Sequence, residues 1–135
     1  MTAKVLLKDN LRTEMIHVAS QSIVETDAPI DNHGNGEKFS PTDLVSSALA
    51  SCMLTIMGIA ANTQKIDIVG TSAEIVKIME SNPRRIGEIK IDIFMPKEKK
   101  YSAKEKSILE RAALACPVHH SLHPDLKKTI SFFWE

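Results

Sequence analysis

Ser40-Pro-Thr-Asp-Leu-Val-Ser-Ser-Ala-Leu-Ala-Ser-Cys-Met-Leu-Thr-Ile-Met-Gly-Ile-Ala-Ala-Asn62 is the stretch whose pattern decides the fold. Ser40 suits an N-cap and Pro41 the first helical position. Asp43 suits the third, where its carboxylate meets free amides and the positive end of the helix dipole. A helix therefore starts at Pro41 and is expected to run to about Asn62, roughly 33 Å at about 1.5 Å per residue. No charge lies between Asp43 and Lys65. One stripe reads Val45, Ala48, Leu49, Cys52, Ile56 and Ile59, and a second reads Asp43, Ser47, Ser51 and Thr55. Such a helix is expected to be covered on nearly every side, as the long central element of the core. Its apolar run, Ala48 to Ala61, falls short of the roughly 20 residues that span a bilayer, so a buried helix is expected and not a membrane anchor.

Upstream, Val5–Lys8, Met15–Ala19 and Ser22–Thr26 read as short strands of a meander, with Asp9-Asn10 as a turn. Asp27 to Phe39 has the Gly, Pro, Asp and Asn content of an irregular loop. Downstream, Ile66 to Met79 alternates imperfectly around Gly70, which reads as a bulge. Ile89, Ile91, Ile93 and Met95 alternate cleanly with Glu88, Lys90 and Asp92. These predict two long strands joined through Ser81-Asn82-Pro83. Ser102 and Glu105 form a capping box opening a second helix with an inner stripe of Ile108, Leu109, Ala112, Ala115 and Cys116, ended by Pro117. A last strand, Thr129 to Trp134, places Ile130, Phe132 and Trp134 on one face. The order β-β-β-α-β-β-α-β predicts a single α+β domain over residues 1–135, with mostly antiparallel sheets around two helices.

At 135 residues the chain can bury about two thirds of its unfolded surface without a metal or disulfide framework. Lys plus Arg and Asp plus Glu are both 17, so neither nucleic acid nor an anionic membrane is favoured as a partner. Aromatics are only 4% of the chain, too few for stacking platforms along a polymer. Lys4 and Lys8 bracket an apolar run too short for a secretory leader, which reads as cytoplasmic. In such a reducing compartment two cysteines do not form a permanent staple.

Cys52 and Cys116 each lie on an apolar stripe of one of the two helices, so both are expected to face the core. A lone buried cysteine is ordinarily a small hydrophobe, whereas an inward pair makes a redox dithiol an equal alternative. A peroxide-reducing sulfur must be a thiolate, and apolar burial opposes that, so a cation or donor has to approach Cys52. Arg12, Arg84, Arg85, Arg111 and the histidines after Cys116 are the candidates, although Arg84 and Arg85 read as strand-end charge and any one arginine is ordinarily solvated. Cys116, His119, His120 and His123 also invite a zinc reading with Cys52, but the usual ligand spacings are absent and Pro117 and Pro124 interrupt the segment. His17 and His33 are isolated, and the Asp and Glu pairs read as lying on solvated faces. No nucleotide, zincin or serine-hydrolase motif is present, and no cofactor is implied.

Phe39-Ser-Pro-Thr-Asp-Leu-Val-Ser-Ser-Ala-Leu-Ala-Ser-Cys-Met53, followed by Ala115-Cys-Pro-Val-His-His-Ser-Leu122, resembles the OsmC/Ohr family of osmotically inducible and organic hydroperoxide resistance proteins. The resemblance extends over essentially the whole chain, including Arg12 and the loop from Asp27 to Gly36. It implies an intertwined homodimer with two sites at the subunit interface, and thiol-dependent reduction of organic hydroperoxides. By position, Cys52 would be the peroxidatic nucleophile, Cys116 its resolving partner, and Arg12 the group that activates the thiol and orients the peroxide. A dithiol reductant would restore both thiols. Better-studied members carry a Glu ten positions before the first cysteine, paired with the arginine. Here that position is Thr42, and Asp43 beside it either substitutes or, as the favoured reading, caps the helix. The alternative function is a non-enzymatic dimer that binds a small molecule or metal, or senses redox state, with its thiols lining an apolar pocket.

Overall fold

The computed structural model describes residues 1–135. They form two compact units, Met1–Val45 and Ser46–Glu135.

In the first unit β1 (Ala3–Leu7), β2 (Arg12–His17) and β3 (Ile23–Asp27) make an antiparallel meander in that order. β2 begins and ends earlier than its apolar residues suggest. The Lys8 amide donates to the Arg12 carbonyl and the Gln21 amide to the His17 carbonyl, so Val18 and Ala19 belong to the turn. The register sets Arg12 opposite Asp27. The loop that follows folds back on itself. A Cβ at Gly34 would lie 1.7 Å from the Ala28 carbonyl oxygen, and Gly36 has φ +65, a conformation glycine adopts without strain. Within this sheet the only buried side chains are Thr26 and Asp27, both polar.

The helix read from Ser40 is present as α1 (Pro41–Gln64), two residues longer than expected. Its cap is reciprocal: the Asp43 amide donates to Ser40 Oγ at 3.1 Å, and the Ser40 amide donates to Asp43 Oδ2 at 3.0 Å. The buried face is Ser46, Leu49, Ala50, Met53, Met57 and Ala61. This corrects the expected stripe: Leu49 is buried, but Val45, Ala48 and Ile59 are exposed, and Cys52 and Ile56 are half-buried. The helix is apolar nearly all round, so its periodicity could not choose between adjacent stripes, and packing chose the methionine side. Nor is it covered on nearly every side. At 24 residues α1 is also long and apolar enough to cross a membrane, because its uncharged polar residues extend the run beyond Ala48–Ala61. Its buried face nevertheless packs into the core of the second unit.

In the second unit β4 (Ser72–Glu80), β5 (Arg85–Phe94) and β6 (Lys127–Phe133) form a sheet in that order, β4–β5 antiparallel and β5–β6 parallel. The parallel pairing follows from the helical crossover between β5 and β6. β4 starts later than expected. The Val69 amide donates to Asp67 Oδ1 and the Thr71 amide to the Ile68 carbonyl, so this segment turns, and Gly70 (φ +97) serves that turn. The bulge lies at Ile78/Met79 instead. α2 (Ala103–Leu114) opens with the expected Ser102–Glu105 capping box and ends at Ala115. A further short helix, α3 (Pro117–Ser121), uses Pro117 as its first residue, so the proline starts a helix as well as ending one. The core joins Leu49, Met53 and Met57 of α1 to Ile89, Ile91 and Ile93 of β5 and Leu109 and Ala113 of α2. Two three-stranded sheets with these helices make an α+β fold, three of its four strand pairings being antiparallel.

Candidate functional site

α1 and the α2–α3 junction each deliver one sulfur to the second unit. Cys52 sits half-buried midway along α1, and Cys116, 0% exposed, is the N-cap of α3; both are free thiols. The Cys116 sulfur accepts the His119 backbone N–H at 3.2 Å, and Cys52 packs against the buried core cluster that contains Cys116. Burial pushes the Cys116 thiol up, and its bond with Cys52 acts in the same direction. The amides of His119 and Val118 pull the other way without cancelling it. Cys116 is therefore a protonated thiol at neutral pH.

Arg12 lies in the first unit. Its Nε donates to Asp27 Oδ1 at 2.7 Å and its Nη2 to Asp27 Oδ2 at 2.9 Å, the two-pronged geometry that a planar guanidinium makes with a carboxylate. Nη2 also donates to Glu37 at 3.1 Å, and Glu25 stands 3.8 Å from Nε. Asp27 accepts the backbone amide of Glu37 (3.1 Å) as well. The Arg12 guanidinium holds the Asp27 carboxyl well below the usual carboxylate range, and Asp27 in turn raises Arg12. Asp27 is 0% exposed, which corrects the reading that acidic pairs lie only on solvated faces. The missing signal was register: counting back from a turn at Val18–Gln21 sets residue 12 opposite 27.

The OsmC-like protein family model matches residues 34–131. The chain belongs to the OsmC-like family. A crystal structure from Psychrobacter arcticus 273-4, provisionally named an osmotic stress induced and detoxification response protein, is 46% identical. The match covers 98% of this chain and 95% of that one, with a TM-score of 0.93. An organic hydroperoxide resistance protein OsmC of Legionella pneumophila shares 14% identity over 98% of this chain and 97% of its own, with a TM-score of 0.76. One from Elizabethkingia anophelis shares 15% over 100% and 97%, with a TM-score of 0.71. At such identities these two show the shared fold. No curated protein sequence matches.

In this OsmC-like chain several of the other candidates have partners of their own. Arg85 donates to the Ser81 and Pro83 carbonyls and to Glu80, fastening the β4–β5 turn. Arg84 is exposed beside it, and Arg111 is exposed in the last turn of α2. His119 contributes its backbone amide to Cys116, while burial lowers its ring, followed by Lys128 and His120. His123 Nδ1 accepts the Asp125 amide, His17 Nδ1 bonds Ser20 Oγ at 2.6 Å, and His33 occupies a left-handed turn position. No three His, Cys, Asp or Glu side chains gather where a metal ion could sit. Asp43 caps α1, and Thr42 Oγ1 lies 3.1 Å from Ser40 Oγ.

Proposed function

We propose that this OsmC-like protein reduces organic hydroperoxides through Cys52 and Cys116. One observation carries the reading: two free thiols, one on α1 and one at the start of α3, belong to one core cluster, where Cys52 acts on the Cys116 thiol. The Cys52 thiolate attacks the distal peroxide oxygen, the O–O bond breaks, and the alkoxide leaves and is protonated to the alcohol. Cys52 is thereby oxidised to a sulfenic acid. Cys116 then attacks the sulfenic sulfur, and its proton leaves with the hydroxyl as water, closing the disulfide. An external dithiol reduces that bond by exchange, becoming a disulfide itself. The half-exposed sulfur is the one a peroxide can approach, and the buried protonated one suits the later step.

Arg12 has the assisting role in this reading. A guanidinium stays charged at any working pH and can bind a peroxide oxygen while favouring the thiolate. We further propose that the working unit is a homodimer in the cytoplasm, where dithiol reductants are maintained. The first unit supports the dimer, since its sheet buries only polar side chains within one copy.

Cumene hydroperoxide and dithiothreitol, mixed with the protein, test the reading through peroxide consumption. Turnover is expected in the native chain and loss of it in Cys52→Ser. Unchanged turnover in Cys52→Ser would sink the proposal, and retained zinc or ligand without turnover would favour a binding or sensing dimer.

A further inference from the structure

Arg12 does not stand as an unpaired cation. Asp27, Glu37 and Glu25 surround it, so the local sum of formal charge is negative. The three acids are unlike in kind. Asp27 is fully buried and holds two guanidinium nitrogens and the Glu37 backbone amide, three donors on one carboxylate. The Glu37 side chain is 68% exposed and touches Arg12 through one oxygen, on a nitrogen that Asp27 already holds. Glu25 is more distant, at 3.8 Å.

The backbone explains this difference. Arg12 and Asp27 are facing residues of β2 and β3, so their pairing is built into the sheet. The loop after β3 is folded by the Gly36 amide on the Ala28 carbonyl and the Gly34 amide on the Pro29 carbonyl, which carries the Glu37 amide onto Asp27. A carboxylate so enclosed cannot rotate away without stranding buried donors. Glu37 can leave without stranding any. Asp27 takes the Nε and Nη2 side of the fork and leaves the Nη1 hydrogens without a partner in the chain, on a side chain that is 27% exposed.

We propose that Asp27 is the positioning residue of Arg12, fixing the plane of the guanidinium and leaving its Nη1 edge to bind the peroxide oxygen, and that Glu37 is a dispensable second contact. The proposal rests on the reading of Arg12 given above. It replaces the acid that the Thr42 position lacks by one that approaches from the neighbouring strand.

Two measurements test it. In a ¹⁵N-edited NMR spectrum the Arg12 Nε–H is expected to exchange slowly in the native protein and in Glu37→Gln, and rapidly in Asp27→Asn. In cumene hydroperoxide turnover, Asp27→Asn is expected to slow kcat/KM about tenfold or more. It should add nothing on an Arg12→Ala background, whereas Glu37→Gln should stay within about twofold of native. A slow Nε–H in Asp27→Asn, or a full additive loss on Arg12→Ala, would overturn the proposal. If Asp27→Asn does not fold, Asp27→Glu keeps the charge and should give an intermediate loss that Arg12→Ala again masks. A native protein with no turnover at all overturns the proposed function, while the Nε–H signal still decides whether Asp27 holds Arg12.

Discussion

In the proposed cycle Cys116 has two tasks that a serine would separate. Its sulfur caps α3 through the His119 amide and closes the disulfide with Cys52. A serine hydroxyl is a better N-cap than a thiol but cannot form a disulfide. Cys116→Ser is therefore expected to fold with stability within about 1 kcal/mol of native, since the gain in capping offsets a buried hydroxyl. After one equivalent of hydroperoxide it should accumulate a Cys52 sulfenic acid that dimedone traps, seen by mass spectrometry; native protein should give the disulfide. The raised Cys116 thiol adds a pH dependence. Above about pH 8.5, where an unfolded cysteine ionises, the folded chain still holds this proton. The folded state then binds more protons than the unfolded one, so stability falls as pH rises through that window. Urea midpoints of reduced protein should decline as pH rises past about 8.5, and Cys116→Ser should remove that part of the decline. The sequence made both cysteines legible as candidates through their apolar neighbours, although α1 buries the adjacent face and Cys116 lies past the end of α2. The place of Cys116 as the N-cap of α3 was not legible, because it depends on where that short helix begins.

At the scale of elements, caps and alternation were the readable signals. Ser40 with Asp43 and Ser102 with Glu105 marked two helix starts correctly, and β5 followed from its clean alternation. What failed was what needs a partner to decide: the face of α1, the start of β4 and the burial of Asp27. Met57 shows the consequence for α1. It is fully buried among core residues of the second unit, while Ile59, two positions on, is 58% exposed. Met57→Ala is expected to cost about 2–5 kcal/mol in denaturant unfolding, and Gly58→Ala, with nothing near its would-be Cβ, should be neutral or gain up to about 1 kcal/mol. Equal effects at the two positions would refute this assignment of the buried face. In the first unit, Gly34→Ala would drive a methyl into the Ala28 carbonyl and open the loop that delivers the Glu37 amide to Asp27.

For the whole molecule the decisive feature is what one copy leaves uncovered. Val5, Leu6 and Leu7 run consecutively along β1 at 65%, 61% and 69% exposure, and Ile23 and Val24 of β3 are exposed as well. A three-stranded sheet needs an apolar face covered to be stable, and here the only buried side chains of the sheet are polar. The formal charge of zero sets no net repulsion against self-association. If a second copy supplies the cover, sedimentation at micromolar concentration should give about twice the 14.9 kDa chain mass. Leu6→Asp places a charge inside that contact and should give monomer, with the first unit losing hydrogen-exchange protection while β5 of the second unit keeps it. The consequence then reaches the chemistry. With a site completed between copies, Leu6→Asp would lose hydroperoxide turnover even though Cys52 and Cys116 stay within the core of the second unit. A monomeric native protein with full turnover would remove the dimer from the proposal and leave the thiol pair standing alone.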